Sequence, residues 1–165
     1  MRFLVLAFLL SACGTEHFPH SRSPVLDLGE FKYYIEQFEF DAYRYGRSLI
    51  INDLVVEFAD IESPYEDRVI LGKCRSGDSQ HPPRIQIDRE HWPKLNSIYK
   101  EILMYHELGH CILNRGHIDE VSSIMNTFLL SWYAYDTNEF YYLNELFNPS
   151  PSTSLHGHNE DEPCQ

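Results

Sequence analysis

Apolar residues first recur at helical spacing across residues 30–45, where Phe31, Tyr34, Ile35, Phe38 and Tyr45 fall on one stripe. Residues 48–59 are rich in Ile, Leu, Val and Phe and predict a strand. Residues 62–67 contain Ser63-Pro64 and read as a loop, and residues 68–74 form a second strand candidate. After a turn over residues 77–83, Arg84–Asp88 alternates Ile85 and Ile87 with polar neighbours. That alternation, with Pro82-Pro83 just before it, predicts a short edge strand. A long central helix opens at Pro93 or Asn96 and closes at Asn114 or Gly116, since both closing residues accept a left-handed conformation. A final helix over residues 138–147 carries Phe140, Tyr141, Leu143, Leu146 and Phe147. This order predicts an α+β fold, with helices packed on one small sheet.

The chain has 165 residues, the length of one domain. Its 11 Tyr and 10 Phe predict an aromatic-rich core. Asp and Glu outnumber Lys and Arg 25 to 13, a formal charge of −12. That balance excludes a nucleic-acid partner, which requires clustered positive charge. Oligomeric state is not legible.

The first residues bear on compartment. Met1-Arg2 precedes an unbroken apolar run from Phe3 to Leu10, followed by small residues. This has the layout of an export signal and falls short of the about 20 residues that span a bilayer. Leu10-Ser11-Ala12-Cys13 resembles the lipobox of bacterial lipoproteins. The resemblance implies a signal peptide over residues 1–12, lipidation of Cys13, and attachment to the membrane through that lipid. Gly14 stands where an inner-membrane retention aspartate would stand, which implies the outer membrane of a bacterial envelope. Residues 13–27 then form a flexible tether, and residues 148–165 read as a disordered acidic tail containing His156 and His158. An exported compartment permits disulfides. Cys74 and Cys111 either pair or serve as small buried residues, and Cys164 lies in the tail.

The strongest chemical signal is His106-Glu107-Leu108-Gly109-His110. Histidines four apart on a helix share one face and can grip one ion. Zinc suits imidazole nitrogen. Glu107, about 100° further round the helix, can reach a metal-bound water without being a ligand. His117 follows the helix end and is the leading third ligand; Asp119, Glu120 and Glu139 are the rivals. His81 and His91 read as loop histidines.

The segment from Tyr105 to Met125 resembles the metzincin clan of zinc peptidases, and within it a group of small matrixin-like bacterial lipoproteins. Leu113 replaces the usual metzincin glycine, and His117 comes one residue later than the usual third histidine. The resemblance implies a minimal zincin-like catalytic domain over residues 28–147, hydrolysing protein or peptide substrates. It implies zinc on His106, His110 and His117, Glu107 as general base, and Met125 in a tight turn beneath the metal. It further implies that Arg84–Asp88 lines the substrate cleft and that the loop over residues 126–137 shapes specificity. Tyr133 and Tyr135 are candidate assisting phenols. A zinc-binding envelope lipoprotein without catalysis is the alternative, but it has no use for Glu107.

Overall fold

The computed structural model describes residues 29–150. The expected signal peptide, Cys13, the tether and all but the first residues of the acidic tail lie outside the described residues. The elements are α1 (Phe31–Arg44), β1 (Val55–Ala59), β2 (Gly72–Arg75), β3 (Arg84–Asp88), a 3₁₀ turn (Trp92–Lys94), α2 (Ser97–Leu113) and α3 (Trp132–Phe147). This is the expected α+β arrangement of three helices and a small mixed sheet. Among the described residues, no helix is long and apolar enough to cross a membrane.

The stripe on α1 buries Phe31, Tyr34, Ile35, Phe38 and Ala42, which recur at three- and four-residue steps. They meet an aromatic core. Phe31 packs on Phe58 and Trp92, and Phe38 packs edge-on against Tyr105 of α2 and tilted against Phe147 of α3. The core also carries one buried polar anchor. The Tyr105 hydroxyl donates to Asp41 Oδ2 at 2.7 Å, and Arg44 reaches Asp41 Oδ1 at 3.1 Å. A carboxylate taken out of water in this way is held by charge and hydrogen bonds together. It joins α1 to α2 one residue before His106.

The sheet corrects the expected edge strand. Its order is β1-β3-β2, so Arg84–Asp88 is central. β3 runs parallel to β1 and antiparallel to β2. The two prolines lie just outside the paired segment, and the Pro83 carbonyl accepts from the Val55 amide at 3.0 Å. They therefore cost no ladder donor. The polar positions of β3 are occupied by cross-strand pairs rather than left to water. Arg84 pairs with Glu57 at 2.7 Å, and Gln86 donates to Glu57 at 3.0 Å. An alternating pattern thus reads as an edge although both edges are paired. The first strand is also shorter than expected, because residues 48–54 are irregular, and β2 begins at Gly72 rather than residue 68. The last helix begins six residues early, at Trp132, and is broken in backbone geometry at Asn138 (φ −134°, ψ 31°).

Cys74 of β2 and Cys111 of α2 form a disulfide with Cα atoms 5.6 Å apart. This bond suits an oxidising compartment. It closes a loop across a separation of 37 residues, for which the chain-entropy account gives about 4 kcal/mol at most. Replacing both cysteines with serine is expected to lower unfolding stability by about 2–4 kcal/mol, read as a lower urea midpoint with a slope no shallower than wild type, since the unfolded chain is released. An unchanged midpoint would show that the bond constrains nothing the fold lacks.

Candidate metal centre

α2 delivers two of the three histidines because its ends are well specified. The Asn96 side chain caps the start, accepting from the Tyr99 amide at 2.9 Å. Asn114 ends the helix in the left-handed conformation (φ 54°, ψ 41°). Asn114, and not Gly116, therefore supplies the turn, after which the chain doubles back and brings His117 beside the helix. The extra residue before His117 is absorbed in this way.

The three imidazoles converge through their Nε2 atoms. His106 and His110 stand 2.8 Å apart, and each lies 3.2 Å from His117. His106 and His110 are buried and His117 partly so. The other ring nitrogen is spoken for in both helix histidines. His106 Nδ1 lies 2.7 Å from the Ile124 carbonyl and His110 Nδ1 lies 2.6 Å from the Arg115 carbonyl. A carbonyl only accepts, so each Nδ1 carries a proton and each ring turns its Nε2 inward. Two unprotonated nitrogens at this distance repel unless a metal ion or a shared proton lies between them. An ion held tetrahedrally at about 2.0–2.1 Å from each nitrogen would space those nitrogens about 3.3 Å apart. The observed triangle matches that size within about half an ångström. The three-histidine group can hold a metal ion.

The rivals for third ligand are placed elsewhere. Asp119 is spent on its own loop, accepting from the Thr127 amide and hydroxyl at 2.9 Å each. The loop contacts outweigh the desolvation that opposes them, so its carboxyl titrates below the usual range. Glu120 and Glu139 are exposed. His81 and His91 are loop residues as expected, bonded to Asp78 and Asp88 respectively.

Met125 lies in a turn that runs from Ser123 to Asn126, closed by the Asn126 amide on the Ser123 carbonyl at 3.3 Å. The Ile118 amide donates to the Met125 carbonyl at 2.8 Å, and Asn126 donates to the Ile118 carbonyl, so the turn is fastened to the segment carrying His117. The Met125 side chain is fully buried against Gly109, where an added Cβ would overlap its sulfur. The glycine inside the histidine motif is thus the gap that admits the methionine beneath it.

Glu107 is fully buried, and neither carboxylate oxygen has a hydrogen-bond partner. Desolvation pushes its carboxyl up to about 8. It faces Gly72 at the start of β2, where an added Cβ would stand 2.8 Å from Glu107 Cδ. The strand lies along the helix with matched advance. Gly72 to Cys74 is two strand steps, and Glu107 to Cys111 is one helical turn, each about 6 Å. The disulfide therefore holds the strand whose missing side chain makes room for Glu107. Gly72 escaped the sequence reading. A glycine inside a strand candidate is the available signal, since it marks a close approach of other groups. Gly72→Ala is expected to displace the Glu107 carboxylate while leaving metal content at the wild-type level; a crystal structure of the variant checks this, and an unmoved carboxylate would contradict it.

Of the two candidate phenols, Tyr135 is bonded within the core: it is buried, and its hydroxyl donates to Glu101 at 2.7 Å. Burial, followed by the nearby Glu101 charge, raises its phenol far above the ordinary value. Tyr133 is 67% exposed on α3, beside Trp132. Because α3 starts at Trp132, the expected specificity loop shrinks to residues 126–131.

No family model, curated protein or solved structure matches this chain.

Proposed function

We propose that the protein is a zinc-dependent peptidase of the metzincin kind, exported and held at the bacterial envelope through Cys13. One observation carries the reading: three histidine nitrogens that converge on one point, with a fully buried carboxylate at the next helix position that accepts no hydrogen bond. A site built only to stabilise a fold is closed by four protein ligands. Three histidines leave one position open, and Glu107 has no bond to make within the fold.

Zinc bound there would supply a Lewis acid and lower the pKa of a coordinated water toward about 7. His106, His110 and His117 would hold it through Nε2. The positive charge would favour the ionised form of Glu107, against the pull of burial. Glu107 would take a proton from the attacking water at one carboxylate oxygen and pass it to the leaving amine. Met125 supplies the apolar packing under the histidine turn and holds no proton. The substrate would lie along β2, the strand that faces Glu107. Its outer edge has no strand partner among the described residues. Arg84–Asp88, paired on both sides, cannot accept an added strand, so the cleft rim moves to Gly72–Arg75.

The reading is tested by incubating the zinc-loaded protein with unfolded casein, with and without a strong chelator. Fragmentation that stops on chelation and returns with zinc is expected. One tightly bound zinc with casein left whole would favour a zinc-binding envelope protein without catalysis.

A further inference from the structure

We infer that Glu145 is the positioning residue for the metal centre, one carboxylate that fixes the orientation of both helix histidines. The inference rests on the proposal that the three histidines bind zinc. The two orienting carbonyls belong to separate segments, Arg115 just after α2 and Ile124 in the methionine turn. Local hydrogen bonds between Ile118, Met125 and Asn126 tie the two segments near His117, and a second tie comes from α3. Glu145, in the last turn of α3, reaches both. Its Oε1 accepts from the Arg115 guanidinium at 2.5 Å. Its Oε2 accepts from the Ser123 hydroxyl at 2.6 Å. With its single proton given to Glu145, that hydroxyl accepts from the Met125 amide at 3.0 Å, which fixes the peptide following the Ile124 carbonyl.

Arg115 is held from a second direction. Its guanidinium also donates to the Glu145 carbonyl at 3.0 Å and the Leu146 carbonyl at 2.7 Å, capping the end of α3. Its own amide donates to the Gly109 carbonyl at 3.0 Å, so its backbone is pinned to α2 next to His110. Arg115 and Ser123 are buried, and the Glu145 side chain is 12% exposed. Charged groups so placed hold their geometry in a way that solvent-exposed pairs do not. The chain from Glu145 therefore ends on the two Nδ1–H groups that aim the rings. Partners of this kind set the tautomer and direction of metal-binding histidines, and their loss typically weakens metal binding about 10–100-fold.

The test uses the full-length protein and the variants Glu145→Gln, Ser123→Ala and Phe38→Leu. Glu145→Gln keeps the shape but faces one of the two donors with an amide N–H. Ser123→Ala removes one hydroxyl and carries the test if Glu145→Gln does not fold. Phe38→Leu loosens the core where it packs on Tyr105 and Phe147 and removes no hydrogen bond of the network. Zinc affinity is measured by chelator competition, and imidazole tautomers of the metal-free protein by long-range proton–nitrogen spectra. Expected are a loss of about 10–100-fold in affinity for Glu145→Gln, a smaller loss for Ser123→Ala, and no more than a twofold change for Phe38→Leu. The Nδ1–H tautomer of His106 and His110, held in the wild type, is expected to become mixed in the two network variants. Wild-type affinity and tautomers in folded network variants, or an equal loss in Phe38→Leu, would overturn the inference. Absence of zinc binding by the wild type would instead remove the metal reading, and the tautomers would still decide whether Glu145 orients the rings.

Discussion

Glu107→Gln is expected to retain one zinc and to lose peptide hydrolysis by about 10²–10⁴-fold, the usual range for a positioned general base. That corresponds to about 3–5 kcal/mol of barrier. The variant separates two roles that the geometry already separates. The histidines bring their Nε2 atoms to a common point, whereas Glu107 lies one position along the helix, against Gly72, and accepts no hydrogen bond. A second readout moves in the opposite direction. Glu107 is a buried carboxyl without a partner, a group that costs about 1–3 kcal/mol or more to leave unsatisfied. The metal-free Gln variant is therefore expected to unfold at the wild-type temperature or above it. A group whose removal harms activity while sparing the fold is retained for chemistry. Equal hydrolysis by variant and wild type would sink the assignment of the base.

The second large effect concerns His117. His117→Ala is expected to weaken zinc binding by at least about 10²-fold, more than the loss of an orienting partner produces. The two histidines left on α2 would hold an ion only as a pair, and a third nitrogen closes the triangle. His117 is the most accessible of the three and lies on an irregular segment. Its replacement is thus expected to leave the unfolding midpoint of the metal-free protein within about 0.5 kcal/mol of wild type, the range for substitutions away from the core. Competition against a chromophoric chelator measures the affinity. Undiminished binding would return Asp119, Glu120 or Glu139 to consideration, although the first is bonded to Thr127 and the other two are exposed.

The centre was legible where its logic is local. Two histidines four apart need only a helix, and Asn96 and Asn114 mark that helix from the sequence because each acts within its own turn. Residues whose purpose depends on distant chain were not legible. Gly72 matters because Glu107 lies against it, 35 positions away in sequence. Arg115 and Glu145 meet only once α3 has packed across α2. Spacing could not decide the Cys74–Cys111 pair, since the choice depends on β2 lying along α2. The central place of Arg84–Asp88 was hidden for the same reason: its polar residues pair with Glu57 across the sheet, and alternation alone cannot distinguish such a partner from water. The early start of α3 carried no warning, because Ser131 makes no side-chain capping bond there.

A peptidase whose metal is held by His106, His110 and His117 cuts peptide bonds only when loaded. The most direct measurement is mass-spectrometric mapping of a peptide library after exposure to the full-length protein in three states: zinc-loaded, metal-stripped, and stripped then reloaded. New peptide ends in the first and third states, absent from the second, are the predicted result. Stoichiometric zinc with no new ends in any state would contradict a peptidase and leave a metal-binding protein in its place.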